Sequence, residues 1–334
     1  MNKRPTISDV ARIAGVSLMS VSRAMNNRPG LSEGTRQRIL EIADQIGYRP
    51  SNVARALATH QTSTIGLVMP DVANPFFAQI ARGAEDAAYE NGYGVFLINT
   101  AEDTDREKAA LDSLWQKEID GAILCSPRLI LEELKPYLAR FPATVLVNRE
   151  LDTSLPNVAT INVDDRLGAQ QATKYLIERG RKHIALVAGP ATSISGQRRL
   201  DGYRLGLDTA QRAFDPSLVE YCSPTTEGGR IAVLALFSRN LSIDAIFCFN
   251  DLVAAGVIQA CAESRRNVPS DVAIIGADDI PLASLMHPAL TTLRVDQYQI
   301  GHQANSLIME LLKNDMFSQR KILIQPKFIA RESA

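Results

Sequence analysis

The sequence predicts an α/β chain in two parts. A bilobed body built on two open parallel sheets follows a small all-α helix-turn-helix unit and a short hinge helix. Three observations predict it. From Ile65 onward, short apolar runs alternate with helix-length stretches, the rhythm of βαβ units and of parallel sheets covered on both faces. That series runs twice, with a second start near Thr160. Ahead of it, residues 1–60 hold three capped helix patterns and an excess of cations. The 334 residues suffice for two core-building domains and a small third.

The elements follow in order. Thr6, with Asp9 three places on, marks an N-cap and an acidic N3 partner for a helix from Ile7 to Ala14. Val10, Ile13 and Ala14 fall on one side of it. Gly15 permits a tight turn. Ser17 caps a second helix ending near Met25, and Ser32 caps a third whose Ile39, Ile42, Ala43 and Ile46 recur at helical spacing. Three short helices with a glycine turn between the first two make a helix-turn-helix. On the second helix, Val21 and Met25 can face the small core. Leu18 and Met19 occupy the first turn, where a recognition helix meets base edges, while Ser17, Ser22, Arg23 and Asn26 offer donors to phosphates or bases. The plain alternative is a solvated polar face with two incidental apolar residues. Charge favours the nucleic-acid reading. Residues 1–60 carry nine Lys or Arg and four Asp or Glu, a net of +5, so the total of -1 leaves -6 for the rest. A basic head on an acidic body suits a polyanion.

Pro50 stops the third helix and Ser51 can cap a short helix, NVARALA, with Val53, Ala56 and Leu57 on one face. A helix this short needs a partner. In a homodimer two copies could pack symmetrically, with Leu57 as a wedge in the minor groove and Arg55 at groove or phosphate. An ordinary linker whose Leu57 packs on the body is the alternative.

In the body, IGLVM, VFLIN, GAILC and TVLVN are strand candidates of the first series, and IALVAG, AIFCF and VAIIGA of the second. ALTTLRV, a helix near 297–313 and ILIQPKFIA complete the chain. Two open sheets side by side leave a ligand cleft at their carboxyl strand ends. The division expected is 1–50 for the helix-turn-helix and 51–61 for hinge and linker. The body, 62–334, divides into a first lobe of about 62–160 plus 292–321 and a second of about 161–291 plus 322–334. Cys125, Cys222, Cys248 and Cys261 form no close pair and no metal spacing, and read as free thiols. His60, His183, His287 and His302 are scattered. No phosphate-binding glycine loop or nucleophile elbow is present, so neither metal, cofactor nor catalytic residue is expected. The N-terminus lacks an apolar signal segment and no run approaches a membrane span, so a cytoplasmic protein is expected.

The ordered set of motifs resembles one family over nearly the whole chain. TISDVARIAGVSLMSVSRAMNN and LSEGTRQRILEIADQIGYRPSNVARAL look like the DNA-binding signature and hinge helix of the lactose-repressor/galactose-repressor family of bacterial transcription regulators. IGLVMPDVANPFF looks like the start of that family's effector-binding body. RRLDGY, FNDLVAAG, VPSDVAIIGADDIPLA and PALTTLRV resemble its later landmarks in the expected order. The resemblance implies a periplasmic-binding-protein-like body behind the helix-turn-helix. It implies a homodimer that reads a pseudo-palindromic, double-stranded operator, associated with the bacterial nucleoid, and a small-molecule effector. No heptad tail follows the last strand candidate, so a tetramer is not expected. Implied DNA contacts include Thr6, Ser32, Thr35, Tyr48 and Asn52 besides Ser17, Leu18, Met19, Ser22, Arg23, Asn26, Arg55 and Leu57. The family often has Thr where this chain has Ser20. The operator-choosing pair is Leu18 and Met19, which can make apolar contacts such as one with a thymine methyl but no bidentate hydrogen bonds. Leu57 would enter a central CpG step.

Carried over residue by residue, the implied effector contacts are Asp71, Phe76, Phe77 and Asn148 in the first lobe. Ser193, Ser195, Arg199, Asn250 and Asp278 are those of the second. These groups suit a polyol: Asp278 can accept two hydroxyls, Arg199 can fork onto vicinal oxygens, and an aromatic ring can cover an apolar sugar face. A sugar acid is possible through Arg199. Pro224, where purine-responsive relatives place an aromatic, and Ser193 count against a purine corepressor, which stays an alternative. Phe77 could instead be core, Asp251 a helix cap, and Arg198 a solvated or surface-paired cation. The function expected is a repressor controlled by a sugar or sugar-derived effector. A purine- or other metabolite-corepressed regulator, a small-metabolite enzyme and a pure sugar-binding receptor are the alternatives.

Overall fold

The computed structural model describes residues 5–49, 61–151, 155–239, 242–313 and 320–334. The hinge candidates Asn52, Arg55 and Leu57 lie outside them. The chain divides into two compact units, Met1–Ser63 and Thr64–Ala334.

The first unit holds α1 (Ile7–Ala14), α2 (Leu18–Met25) and α3 (Glu33–Gln45). Each starts where a side chain satisfies free backbone donors. The Asp9 carboxylate accepts from the Thr6 N–H at 3.0 Å and the Thr6 hydroxyl at 2.8 Å. Ser17 Oγ accepts the Ser20 N–H at 3.1 Å and Ser32 Oγ the Thr35 N–H at 3.3 Å. Gly15 closes α1 in the left-handed region at φ 64°. Val10, Ala14, Val21, Ile39, Ala43 and the ring of Tyr48 build the core. Ile13, expected beside Val10, is exposed instead. One position separates it from the buried stripe.

In the second unit, β1 (Thr64–Met69), β2 (Gly94–Asn99), β3 (Gly121–Cys125), β4 (Thr144–Val147), β5 (Val158–Val163) and β11 (Lys321–Ile324) form one parallel sheet. Its order is β11-β5-β4-β3-β1-β2. The other sheet has the order β7-β6-β8-β9, from Val219–Tyr221, Ile184–Ala188, Ala245–Cys248 and Ala273–Ile275. β10 (Thr292–Arg294) pairs antiparallel with β12 (Lys327–Ile329), and single bridges join residues 291 and 294 to Ile275 and Asp278 beside β9.

Strand alternation sorts side chains to the two faces of each sheet. On the first sheet Ile65, Leu67, Met69, Ile123 and Cys125 face α4 (Pro75–Glu90) and α11 (Gln297–Leu312). Val68, Ala122 and Leu124 face α5 (Thr104–Gln116) and α6 (Leu131–Leu138). On the second sheet α7 (Asp165–Glu178) and α8 (Ile194–Thr209) cover one face. There α9 (Thr226–Ser238) and α10 (Asp251–Glu263) cover the other. Helix α11 packs against α4 through facing glycines. A Cβ on Gly83 would sit 2.0 Å from the Tyr298 carbonyl oxygen, and one on Gly301 1.9 Å from that of Ile80. Only bare backbone fits there.

Three differences from the sequence-based division follow from pairing. VATINV, at 158–163, is the full strand β5 of the first sheet, so the chain leaves that sheet after Val163. Residues 292–294 pair with β12, and the bridges of Thr291 and Arg294 run to Ile275 and Asp278 beside the second sheet rather than to the first. The return strand β11 reaches Ile324, three residues past the expected limit of 321. Among the described residues no helix is long and apolar enough to cross a membrane.

Candidate functional site

The second unit contains a cavity between its two sheets, at the carboxyl ends of their strands. All nine effector candidates line it, four from the first lobe and five from the second. Local chemistry explains each position. Asp71 follows β1, and its Oδ1 accepts the Ala73 N–H at 2.9 Å. Asn74 then caps α4 by accepting the Phe76 N–H at 2.9 Å, which turns Phe76 and Phe77 toward the cavity in an edge-to-face pair 5.1 Å apart. Both rings also belong to the first-lobe core, so the core and lining readings of Phe77 hold together. Asn148 follows β4 at φ 58° and is buried; its Oδ1 accepts the Val163 N–H at 3.3 Å.

Across the cavity, Ser193 caps α8 by accepting the Gly196 N–H at 3.2 Å. Ser195 is buried and its hydroxyl has no hydrogen-bond partner. An orphaned hydroxyl lining a cavity is a group that awaits a ligand or solvent. Asn250, not Asp251, caps α10, with Oδ1 on the Val253 N–H at 2.8 Å. Its amide nitrogen remains to donate. Asp251, expected as that cap, is fully buried and accepts from the Thr292 hydroxyl at 2.6 Å and the Ile280 N–H at 2.8 Å. It thereby pins the turn carrying Asp278, which holds the left-handed φ of 109°. Burial and the neighbouring Asp278 push the Asp251 carboxyl well above the usual range.

Arg199 is the junction of the site. Its Nε and one terminal nitrogen reach Asp165 Oδ1 at 2.9 and 2.8 Å, and that nitrogen also reaches Asp278 Oδ1 at 3.2 Å. The other terminal nitrogen donates to the Phe249 carbonyl, and the guanidinium lies 5.1 Å from the centre of that ring. Arg199 therefore sits at the cavity wall but is engaged inside the protein. Burial pushes the Asp278 carboxyl up, Arg199 pulls it down and Asp165 raises it, and together they bring it to about 7. Arg198 pairs with the exposed Glu150 at 3.1 Å, as the surface-paired reading expects.

The sequence reading misses a second ion pair. Arg128 forms a two-pronged contact with Glu102, at 2.5 and 3.0 Å, and donates to the Ser126 carbonyl at 2.9 Å. Glu102, Ser126 and Arg128 all line the cavity. Arg128 lies three residues past β3 and Glu102 three past β2, so the rule that open α/β sheets bind ligand at strand ends could have found both.

In the first unit, several DNA candidates serve helix structure: Thr6, Ser17 and Ser32 cap, and Thr35 exchanges a hydroxyl contact with Ser32 at 2.8 Å. Asn26 donates to the Ser22 carbonyl at 2.8 Å. The Tyr48 ring belongs to the core of the unit, and burial pushes its phenol up. Arg23 closes α2 with its guanidinium near Gly30. Leu18 and Met19 are 51% and 63% exposed on the first turn of α2. Exposed apolar residues there, beside a buried Val21, are not held by the core.

A helix-turn-helix with exposed apolar residues on its second helix in one unit and a cavity at strand ends in the other are the features of a ligand-controlled DNA-binding regulator. Comparisons with known proteins agree. Residues 6–51 match the bacterial regulatory proteins of the lacI family, and residues 62–332 match the periplasmic binding proteins and sugar binding domain of LacI family. The ribose operon repressor of Escherichia coli (strain K12) is 33% identical over 332 residues, covering 98% of this chain and 99% of that protein. The HTH-type transcriptional repressor PurR of Aliivibrio fischeri (strain ATCC 700601 / ES114) is 32% identical, with 98% of each chain covered. The solved complex of the transcriptional regulator CelR with cellobiose matches with a TM-score of 0.74 and 29% identity, over 99% of this chain and 100% of that one. The chain belongs to the LacI family of bacterial regulatory proteins. It is a sequence-specific DNA-binding transcriptional regulator with an effector-binding body. Members of this family bind operator DNA and small effectors as dimers.

Proposed function

We propose that this regulator is a repressor released from its operator by a neutral sugar bound between the lobes. The observation that carries the reading is the state of the two cavity arginines. Arg128 is matched by Glu102, and Arg199 by Asp165 and Asp278. An anionic effector would have to displace a buried acid from its partner, whereas a neutral polyol needs only donors and acceptors. Those are at hand in Ser195, the Asn250 amide, Asn148 and the second oxygen of Asp278. Phe76 and Phe77 offer an apolar wall. A sugar acid is thereby disfavoured. The CelR complex with cellobiose supports a carbohydrate of this kind.

On this reading residues 1–50 read one half-site of a pseudo-palindromic operator in the nucleoid, with Leu18 and Met19 at base edges. Residues 51–61 are the hinge, with Arg55 and Asn52 at the DNA and Leu57 as the wedge. Residues 62–334 bind effector and dimerise.

A thermal-shift screen of neutral sugars, sugar acids and purines identifies the effector. Calorimetry on Asp278→Asn then tests the site. The variant keeps size but turns one acceptor into a donor, so sugar affinity should fall about tenfold, about 1.4 kcal/mol. Affinity of the parent should also depend on pH. Sugar hydroxyls favour the ionised carboxyl, so binding lowers a free-state pKa of about 7 and releases a proton. Affinity should therefore fall as pH drops through 7, and the dependence should vanish in Asp278→Asn. Unchanged affinity in the variant contradicts the assignment.

A further inference from the structure

Two adjacent arginines on α8 serve different lobes. Arg199 makes its contacts within the second lobe, to Asp165, Asp278 and the Phe249 carbonyl. Arg198, one residue earlier and about 100° around the helix, reaches the first. Both of its terminal nitrogens lie 3.1 Å from Asn162 Oδ1, and one also lies 3.1 Å from Glu150 Oε1. Asn162 is a buried residue of β5, and Glu150 lies three residues past β4. Each end of this contact adjoins a wall of the cavity: Asn148 is two residues before Glu150, and Arg199 follows Arg198. The contact also stands beside a crossover, since the chain leaves the first sheet just after Asn162. Asp71 and Glu102, past β1 and β2, line the cavity from the far edge of that sheet. Four strand spacings, about 19 Å, separate β5 from β2, so a small displacement at Arg198 becomes a larger one at the far side of the cleft.

We propose that Arg198 is a positioning residue, a clasp between the lobes that holds the cleft shut through Asn162 and Glu150 and must open to admit the effector. The proposal rests on effector binding between the lobes and not on the effector being a sugar. With the lobes as they stand, the cavity leaves about 30 Å³ open to water-sized molecules, room for about one or two waters. Pockets that hold a small organic ligand run to about 300 Å³ or more, so entry requires the lobes to part. The clasp is built to yield. Glu150 is 65% exposed, so water and salt screen its attraction for Arg198, whose own side chain is only 17% exposed. Arg149, a buried cation that donates to the Leu129 carbonyl at 3.0 Å, lies close enough for the two cations to repel. The strength of the clasp subtracts from effector affinity, because it is lost when the cleft opens.

The test needs no effector. Ser195 is buried and lines the cavity, so Ser195→Cys in the full-length protein places a thiol where only an opened cleft admits a reagent. The probe is iodoacetamide, which is uncharged, and mass spectrometry of the labelled peptide separates this thiol from the native cysteines. The labelling rate follows the fraction of time the cleft is open. Adding Arg198→Met should speed labelling about tenfold, Glu150→Ala about threefold, and Arg198→Lys by less than Arg198→Met, since an ammonium keeps the charge without the fork. Raising salt from about 50 to about 500 mM should speed labelling about threefold with Arg198 present and leave the Arg198→Met rate unchanged, a difference that mere loss of packing would not produce. Equal rates with and without Arg198→Met overturn the proposal. Should that variant unfold, Glu150→Ala decides, because its exposed side chain belongs to no core, and an unchanged rate there overturns the proposal as well. So does labelling indifferent to salt with Arg198 in place. None of these outcomes touches the neutral-sugar reading, and failure of every sugar to bind leaves the clasp standing.

Discussion

Replacing Arg199 with methionine should lower the unfolding free energy by about 3–5 kcal/mol at neutral pH, the cost of leaving buried carboxylates without their cation. Asp165 and Asp278 both meet the Arg199 guanidinium, and Asp165 Oδ2 is already buried without a hydrogen-bond partner. The Phe249 carbonyl loses its donor as well. Methionine fills space but supplies neither charge nor donors. The deficit should shrink on acidification, and its sign can be derived. Burial already raises the folded-state pKa of Asp278, and Arg199 is the group that lowers it. Removing Arg199 raises it further. A carboxyl whose folded pKa lies above its unfolded value stabilises most below the unfolded pKa and loses that stability as pH rises through the folded one. The variant should thus gain on the parent as pH falls toward 7 from above, and the difference should level off below 7, where both folded carboxyls are protonated. Urea unfolding at pH 9, 7 and 5 measures both. Equal stability of variant and parent at pH 7 would show that the pairs are not holding the lobe. Arg199→Lys should recover only part of the loss, because an ammonium cannot bridge two acids and a carbonyl with a planar fork.

The double substitution Leu18→Ala, Met19→Ala should weaken specific operator binding about 100-fold, or about 2.7 kcal/mol. Both side chains stand exposed on the first turn of α2, so the loss should leave the head folded. Neither can fork onto a base, so their share of recognition is apolar contact and shape, as with a thymine methyl. Non-specific binding rests on phosphate charge and should persist. Fluorescence anisotropy at one salt concentration, on an operator selected from random DNA and on a scrambled duplex, separates the two. Parallel losses on both duplexes would contradict base reading by this pair.

How much of this was legible in the sequence depends on range. Caps at Thr6, Ser17 and Ser32 are local, within four residues, and the sequence carries them outright. The cleft residues were legible through the resemblance to the family, and folding brings them to the strand ends, where an open α/β sheet places its ligand. What was not legible needs distant partners. Arg199 reads as a ligand group until Asp165 and Asp278, 34 and 79 residues away, are brought to it by folding. The Arg128–Glu102 pair spans two strand ends with no shared motif. β5 hides because Thr160 and Asn162 break its apolar run, and only pairing to β4 and β11 reveals it. The short β7 has three residues and no periodic signal.

The central claim is that one sugar, held in the cleft, and one operator, held by the head, oppose each other. Their coupling must be reciprocal. The direct measurement is calorimetric titration of the sugar found in the screen into the protein, alone and saturated with the selected operator. Operator should weaken sugar binding at least about tenfold, by the same factor that saturating sugar weakens operator binding. Identical sugar affinity with and without operator would contradict it.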